Sequence, residues 1–342
     1  MGNGGKVLVA MSGGVDSSVA ALLLLRAGYA VEGATLQLRP AESVPDPGAR
    51  RVCEALGIPL HVIPAGREFA ERVVIPAARE YDAGRTPNPC CECNAVFKFA
   101  LLLDFAREHG AGALATGHYA RIDAAGLRRG ADAAKDQSYF LYRLGREVLG
   151  RVLFPLGGMR KSEVRQLAEA AHLPAAKRPD SQDLCFAVPG EPCGDTLLRR
   201  AGIPSRPGKV FFHGRVVGAH PGIHRCTLGQ RGGLNVALGV PAYVKRIDAA
   251  AASVVLCTDR EELASQVFCL ERTNWQQPPP GDGDALEVQI RYHSRPAGCR
   301  VFRDGGRWRV ETDEKLYAVT PGQSGVLYRG DLVVGGGVIA PA

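Results

Sequence analysis

The 342-residue chain has no run of 18 uncharged apolar residues, so an ordinary membrane-spanning helix is not expected. No apolar segment precedes the first strand pattern, and one lysine stands there, so a secretory signal is not expected and the cytosol is. A long polar low-complexity tract and an internal repeat are also missing. The G-x-x-x-x-G-K-[ST] pattern is absent, which disfavours a kinase-like or GTPase-like phosphate loop. Without an export signal, the ten cysteines point to reduced thiols, used for chemistry or burial, rather than to a disulfide frame.

What is present reads as globular, with 46% apolar and 23% charged residues. The length exceeds one ordinary core and suggests two or three domains. A formal charge of +7 is compatible with a polyanionic partner without requiring one.

From residue 6 to about 185, strand patterns at Lys6–Ala10, Ala30–Leu38, Leu60–Ile63 and Ala113–Thr116 alternate with helical spacing at 17–27, 47–57, 67–83 and 95–109. That alternation predicts an α/β fold, a parallel sheet wrapped by helices, with its ligand beyond the carboxyl ends of the strands. A second segment, 194–262, opens on Gly194-Asp195 and the turn at 204–208. Its short strands at 209–212, 243–247 and 253–257 surround a glycine-rich middle, as in a small α+β module. Asn274–Gly283, with three consecutive prolines, reads as a linker or long loop. Six strand patterns follow, at 286–292, 299–303, 307–312, 318–321, 325–328 and 331–334, and predict a small antiparallel β-barrel. The expected domains are 1–193, 194–262 and 263–342.

Ala10 to Ser18 joins the first strand to the first helix. Small residues turning into a helix start aim backbone N–H groups and the positive helix end at one point, which suits a phosphate. Gly13 and Gly14 allow close backbone approach, and Ser12, Ser17 and Ser18 add hydroxyls. Asp16 would repel a phosphate unless a divalent cation bridges the two, so the expectation is a nucleoside triphosphate with Mg²⁺. The plain alternative is a Ser-capped helix after a glycine turn. Thr116-Gly117-His118 falls at the same sheet edge.

Gly84 to Asn94 contains Pro87 and Pro89 between two helical patterns and is expected to be a stiff loop. The next helix is expected to begin near Asn94, putting Cys93 at a helix N-terminus, where the dipole favours thiolate. Asp180 to Phe186 is a polar loop carrying Cys185, which could meet the first loop across the nucleotide site. Four readings of Cys90, Cys93 and Cys185 stay open: buried structural thiols, a zinc site of which Cys90-x-x-Cys93 is one half, a dithiol or persulfide centre, and three ligands of a [4Fe-4S] cluster.

S-G-G-V-D-S at 12–17 resembles the signature of PP-loop ATP pyrophosphatases, which release pyrophosphate and place AMP on a carbonyl-type oxygen. Six blocks resemble the bacterial tRNA-specific 2-thiouridylases over nearly the whole chain. They are M-S-G-G-V-D-S-S at 11–18, G-R-T-P-N-P at 84–89 with Cys93-Asn94, A-T-G-H-Y at 115–119, K-D-Q-S-Y-F-L at 135–141, T-L-G-Q-R at 227–231 and A-V-T-P-G-Q-S-G-V-L-Y at 318–328. The resemblance implies a PP-loop catalytic domain of the adenine nucleotide alpha hydrolase-like type, a small central tRNA-binding α+β domain and a C-terminal antiparallel β-barrel. It implies that ATP adenylates the C2 oxygen of the wobble uridine in tRNA and that sulfur then displaces AMP.

Carried over by position, the resemblance implies that Ala10, Met11, Ser12, Gly13, Gly14, Val15, Asp16 and Ser17 bind ATP, with Leu36 and Gly117 near the adenosine. Cys93 resembles the nucleophile and Cys185 the persulfide carrier, with Asp16 the third catalytic residue. Asn88, Pro89, Cys90 and His118 would surround the extruded base, and Lys135, Asp136, Gln137, Arg291, Tyr292 and Gln323 would contact tRNA. For Lys135 and Arg291 the plain alternative is a solvated charge, and for Asp136-Gln137 a helix cap. A persulfide carrier or cysteine desulfurase would supply sulfur, and no membrane is involved.

The chain departs from the family pattern at Cys90, where many relatives have Asp. A thiolate there is a soft ligand, which turns the expectation from a persulfide route with a Cys93–Cys185 disulfide as by-product towards a [4Fe-4S] cluster on Cys90, Cys93 and Cys185. Another PP-loop pyrophosphatase, acting on a different tRNA base or a small-molecule carbonyl, and a non-catalytic tRNA-binding or sulfur-carrier protein are the competing functions.

Overall fold

The protein is described from a computed structural model covering residues 4–38, 47–180, 184–188 and 190–341. It divides into two compact units: Met1–Phe69, Cys91–Phe186 and Asp331–Val333 form one, and Ala70–Cys90, Ala187–Gly330 and Val334–Ala342 the other.

The first unit is built on a five-stranded parallel sheet in the order Leu60–Pro64, Ala30–Gln37, Lys6–Ala10, Ala113–Ala115, Val152–Leu153. Val7, Leu8 and Val9 are buried on both faces, as a central parallel strand covered by helices requires. The strand order reverses at Lys6–Ala10, so a crevice opens between its carboxyl end and that of Ala113–Ala115. The expected α/β sheet is present. Val152–Leu153, too short to leave a pattern of its own, adds a fifth strand.

The stiff loop expected at 84–94 is corrected at its second half. Asn88 Oδ1 accepts the Cys90 backbone N–H at 3.2 Å, and Pro89 occupies the first helical position, where a missing N–H costs nothing. The helix Pro89–Cys93 then runs through a π-helical segment, Asn94–Lys98, into Phe99–Glu108. Cys93 lies inside this helix and not at its start.

The second unit holds a four-stranded sheet in the order Tyr243–Asp248, Ser253–Cys257, Gly208–Phe212, Arg215–His220, whose middle pair is parallel. Gly194-Asp195, on which this segment opens, lies in the helix Cys193–Ala201, ended by Gly202 in the left-handed region. A closed six-stranded antiparallel barrel follows: Ala264–Trp275, Arg307–Tyr317, Ala297–Asp304, Asp284–Gln289, Ser324–Arg329 and Leu332–Ile339, which pairs back to the first. One of the six expected strands is exchanged. Residues 318–321 are a loop, because Ala318 takes φ +55 and breaks the pleat. The missing member is Ala264–Trp275, so the expected linker at 274–283 is a connection within the barrel.

Leu270 is wholly buried in the barrel core with Val288, Val301, Val310 and Leu327. Replacing Leu270 by Ala should lower stability by about 2–5 kcal/mol, read as an earlier urea midpoint for the barrel.

Candidate functional site

In the first unit, the turn after Lys6–Ala10 is tied to the sheet by Met11 N donating to Ala34 O at 2.7 Å. Gly13 has φ +78, and a Cβ there would lie 2.6 Å from the Ala49 backbone nitrogen, so only glycine fits. Ser12 N donates to Ser17 Oγ at 3.3 Å, and Ser18 Oγ donates to Gly14 O at 2.7 Å, closing the turn onto the helix Val15–Arg26. Gly14 caps that helix without a side chain, and the first-turn N–H groups stay open for an anion. The loop after Ala113–Ala115 presses onto the same helix start. A Cβ on Gly117 would lie 2.8 Å from both Asp16 C and Ser17 N. Leu36 is on the neighbouring strand Ala30–Gln37.

Asp16 is not left facing the phosphate site unpartnered. Lys161 Nζ donates to both of its oxygens, at 2.7 and 2.8 Å, and the Tyr119 hydroxyl donates to Oδ1 at 2.8 Å. Burial first, and then the Asp16 carboxylate, push the Tyr119 phenol far above its ordinary value. Lys161 also pairs with Asp180 at 2.9 Å, and Asp180 takes Lys135 at 2.9 Å and Arg165 at 2.6 Å. Burial works against ionisation of Asp180, but hydrogen bonds from Lys135 and Lys161 outweigh it and bring its carboxyl down to about 2. Arg178 donates to Gly13 O at 3.0 Å. Lys161, Asp180, Arg178 and Tyr119 were missed as site residues by sequence reasoning. Tyr119 closes the A-T-G-H-Y block and Asp180 opens the second cysteine loop, but nothing local marks Lys161.

Cys93 and Cys185 belong to the same unit, and the Cys185 thiol is near enough to raise the pKa of Cys93. An aromatic row explains their approach. Phe69 packs between Phe97, one helical turn after Cys93, and Phe186, adjacent to Cys185, with ring centroids 5.4 and 5.7 Å away. Cys185 stands exposed on its turn while Phe186 is buried. Residues 181–183 of that loop lie outside the described residues. All ten cysteines are free thiols.

The expectation that Cys93 is a thiolate is corrected. Burial dominates and raises the thiol to about 11, with Lys98 pulling the other way. Lys98 Nζ also lies 3.4 Å from His118 Nε2, and Thr116 Oγ1 is 2.6 Å from His118 Nδ1. An ammonium only donates, so Nε2 accepts and Nδ1 carries the proton. Burial and Lys98 together push the imidazole well below its ordinary value, so it is neutral at pH 7.

The K-D-Q-S-Y-F-L block grips the cysteine helix. Asp136 caps the 3₁₀ turn Ser138–Leu141 through Ser138 N and Oγ, both at 3.0 Å, and pairs with Arg129 at 3.0 Å. Gln137 Oε1 accepts Tyr119 N at 3.1 Å. The turn offers Phe140 O to Asn94 Nδ2 at 2.9 Å and Tyr139 O to the Cys91 thiol at 3.8 Å, while Arg143 pairs with Glu92. Asp136 and Gln137 thus hold their side chains on partners inside the protein.

In the second unit, three of the sequence blocks meet at Thr86. Its N–H donates to Pro321 O at 2.9 Å, its hydroxyl lies 3.3 Å from that of Thr227, and Gln323 Nε2 donates to Thr86 O at 2.8 Å. Gly322, at φ +94, leaves room for the Thr86 backbone, which a Cβ would meet at 2.9 Å. Arg85 is anchored by Glu80 at 2.8 Å and Glu271 at 2.7 Å. Arg291 donates to Ala318 O at 2.6 Å and Thr320 Oγ1 at 3.0 Å, bracing the barrel side of this junction, and the Tyr292 ring lies tilted against that of His293. The segment leading to Asn88, Pro89 and Cys90 is therefore held from the barrel.

Among the described residues, no three His, Cys, Asp or Glu side chains are arranged to hold a metal. His220 and His224 have the H-x-x-x-H spacing that could complete a zinc set, but His220 Nε2 donates to Ala252 O and His224 pairs with Asp195 at 2.6 Å. No helix among the described residues is long and apolar enough to cross a membrane.

Alkylation of Cys93 by iodoacetamide, followed by peptide mass spectrometry, should reach half its maximal rate near pH 11, against the ordinary thiol value of 9.0. Lys98→Met should move that midpoint further up, because the ammonium is what lowers it. A midpoint below 9 would contradict the burial argument.

Three domain models match in order: a tRNA methyl transferase HUP domain over residues 5–189, a tRNA methyl transferase PRC-barrel domain over 197–258 and an aminomethyltransferase beta-barrel domain over 265–339. The tRNA-specific 2-thiouridylase MnmA of Syntrophotalea carbinolica is 44% identical over 346 residues, covering 98% of each chain. Those of Chloroflexus aurantiacus and Pelobacter propionicus are each 43% identical, again over 98% of both chains. With the phosphate-loop turn, the Cys93–Cys185 approach and end-to-end likeness of this degree, the chain belongs to the tRNA-specific 2-thiouridylase MnmA family.

Proposed function

We propose that the chain is a tRNA-uridine 2-sulfurtransferase that uses ATP to activate the C2 oxygen of the wobble uridine and replaces that oxygen with sulfur. The observation that carries this reading is the approach of Cys93 and Cys185 within the unit that also contains the Ser12–Ser17 turn. The domain descriptions name methyl transfer, whereas the relatives that match all three segments in one chain name thiolation. A formal charge of +7 suits tRNA. Segments 1–193, 194–262 and 263–342 would be the catalytic, central tRNA-binding and barrel domains.

In the proposed reaction the uridine oxygen attacks the α-phosphorus of ATP, and pyrophosphate leaves with the bonding electron pair. Uracil oxygen is a very poor leaving group and AMP a good one, so this step lowers the barrier to sulfur entry. The terminal sulfur of a Cys185 persulfide then forms the bond to C2 as AMP departs. Cys93, losing its proton, attacks the Cys185 sulfur, which releases 2-thiouridine and leaves a Cys93–Cys185 disulfide for a dithiol reductant to reopen. Within the protein, the Ser12–Ser17 turn receives the phosphates, Lys98 lowers the cost of ionising Cys93, and Asn94 and Glu92 fix the helix that carries it. Asn88, Pro89 and Cys90 would border the extruded base. Lys135, Arg291, Tyr292 and Gln323 stay candidates for tRNA contact, their present bonds holding neighbouring loops.

The [4Fe-4S] cluster on Cys90, Cys93 and Cys185 does not fit these residues. Among the described residues, no three His, Cys, Asp or Glu side chains are grouped to hold a metal ion. Asp16 is the carboxylate at this turn that would hold a Mg²⁺ ion accompanying the triphosphate, once its pairing with Lys161 is exchanged.

With tRNA, ATP and a persulfide donor, nucleoside mass spectrometry should detect 2-thiouridine alongside AMP and pyrophosphate. Cys93→Ser and Cys185→Ser should each abolish the thionucleoside while ATP binding persists. Thiolation by both variants at the wild-type rate would remove the two cysteines from the reaction.

A further inference from the structure

Lys161 is placed against the usual preference for its charge. It is the first residue of the helix Lys161–Ala170, whose positive end disfavours a cation. Its ammonium also reaches the start of Val15–Arg26, a second positive helix end. Packing does not require it there, since Val164 and Ala168 join Val15, Val19 and Ala20 in one buried apolar cluster. Lys161, Lys135, Arg165 and Arg178 bring four positive charges around the turn, against the three carboxylates Asp16, Asp132 and Asp180. Four cations thus surround a turn that two positive helix ends already flank, which suits a polyanion. Lys161 is 11% exposed, whereas the Asp16 side chain keeps 34% of its surface open and has room to turn away.

We propose that Lys161 is a ligand of the β- and γ-phosphates of the nucleotide. Its ammonium leaves Asp16 for the phosphate oxygens when the triphosphate enters. It stays with the pyrophosphate as the bond from the α-phosphorus to the bridging oxygen breaks and that oxygen keeps the electron pair. Asp16 then serves as the counter-ion that keeps Lys161 charged and in place while the site is empty. This role rests on the ATP reading above and assigns to one side chain the part of ATP that AMP lacks.

The test is calorimetric titration of the full chain with ATP, AMP and inorganic pyrophosphate, in the wild type, Lys161→Met, Lys161→Arg and the double variant Asp16→Asn/Lys161→Met. Lys161→Met should weaken ATP and pyrophosphate by about 10- to 100-fold, the range for one charged hydrogen-bonding group, and leave AMP little changed. Lys161→Arg should keep part of the pyrophosphate affinity. The double variant, which leaves no unpaired charge, should recover thermal stability without recovering pyrophosphate binding, and it carries the comparison if Lys161→Met does not fold. Equal weakening of ATP and AMP, or return of pyrophosphate affinity in the double variant, would show that the ion pair serves only the fold and overturn the proposal. Wild-type protein that binds neither ATP nor pyrophosphate would overturn the nucleotide reading itself, an outcome separate from any effect of Lys161.

Discussion

The first unit depends on a backbone contact that admits no side chain. Where the strand order reverses, the loop after Ala113–Ala115 lies against the first turn of Val15–Arg26, and Gly117 comes too near Asp16 and Ser17 to carry a Cβ. That approach places Tyr119 on Asp16 and sets His118 between Thr116 and Lys98. Lys98 in turn is the cation that tempers Cys93, so the phosphate turn and the thiol are linked through four residues of one loop.

The parallel sheet was legible because its central strands are continuous apolar runs buried on both faces, and the phosphate turn because glycine and serine spacing is local. The cysteine helix was misread because proline was weighed as a helix breaker, whereas at the first helical position it is favoured once Asn88 supplies the cap. Cys93 was misjudged through the same error. Moved one turn into the helix, it loses the end of the dipole and gains burial. In the barrel, strand count survived while one member changed, because a single left-handed residue, Ala318, ends a pattern that composition alone continues.

Charges at the phosphate turn were the least legible part. The turn predicts a divalent cation at Asp16, and the partner that Asp16 has within the protein is a lysine far along the chain. Long-range ion pairs leave no periodicity, and Lys161 is visible only once the helix Lys161–Ala170 is packed on Val15–Arg26. Asp136 illustrates the converse: a residue singled out for contact with an external partner satisfies four donors inside the protein.

The junction at Thr86 has a consequence for the order in which the protein is made. Thr86 is held by Thr227, Pro321 and Gln323, the last two beside Gly322, which admits its backbone. Such contacts close only after a long stretch of chain has been ordered, so they form late. On the ribosome, the segment ending in Asn88 and Cys90 emerges early but must wait for the last barrel strands before it is fixed. A chain still short of those strands would carry its cysteines without the support that shapes the segment before them, so synthesis of the barrel becomes the step that assembles this part of the molecule.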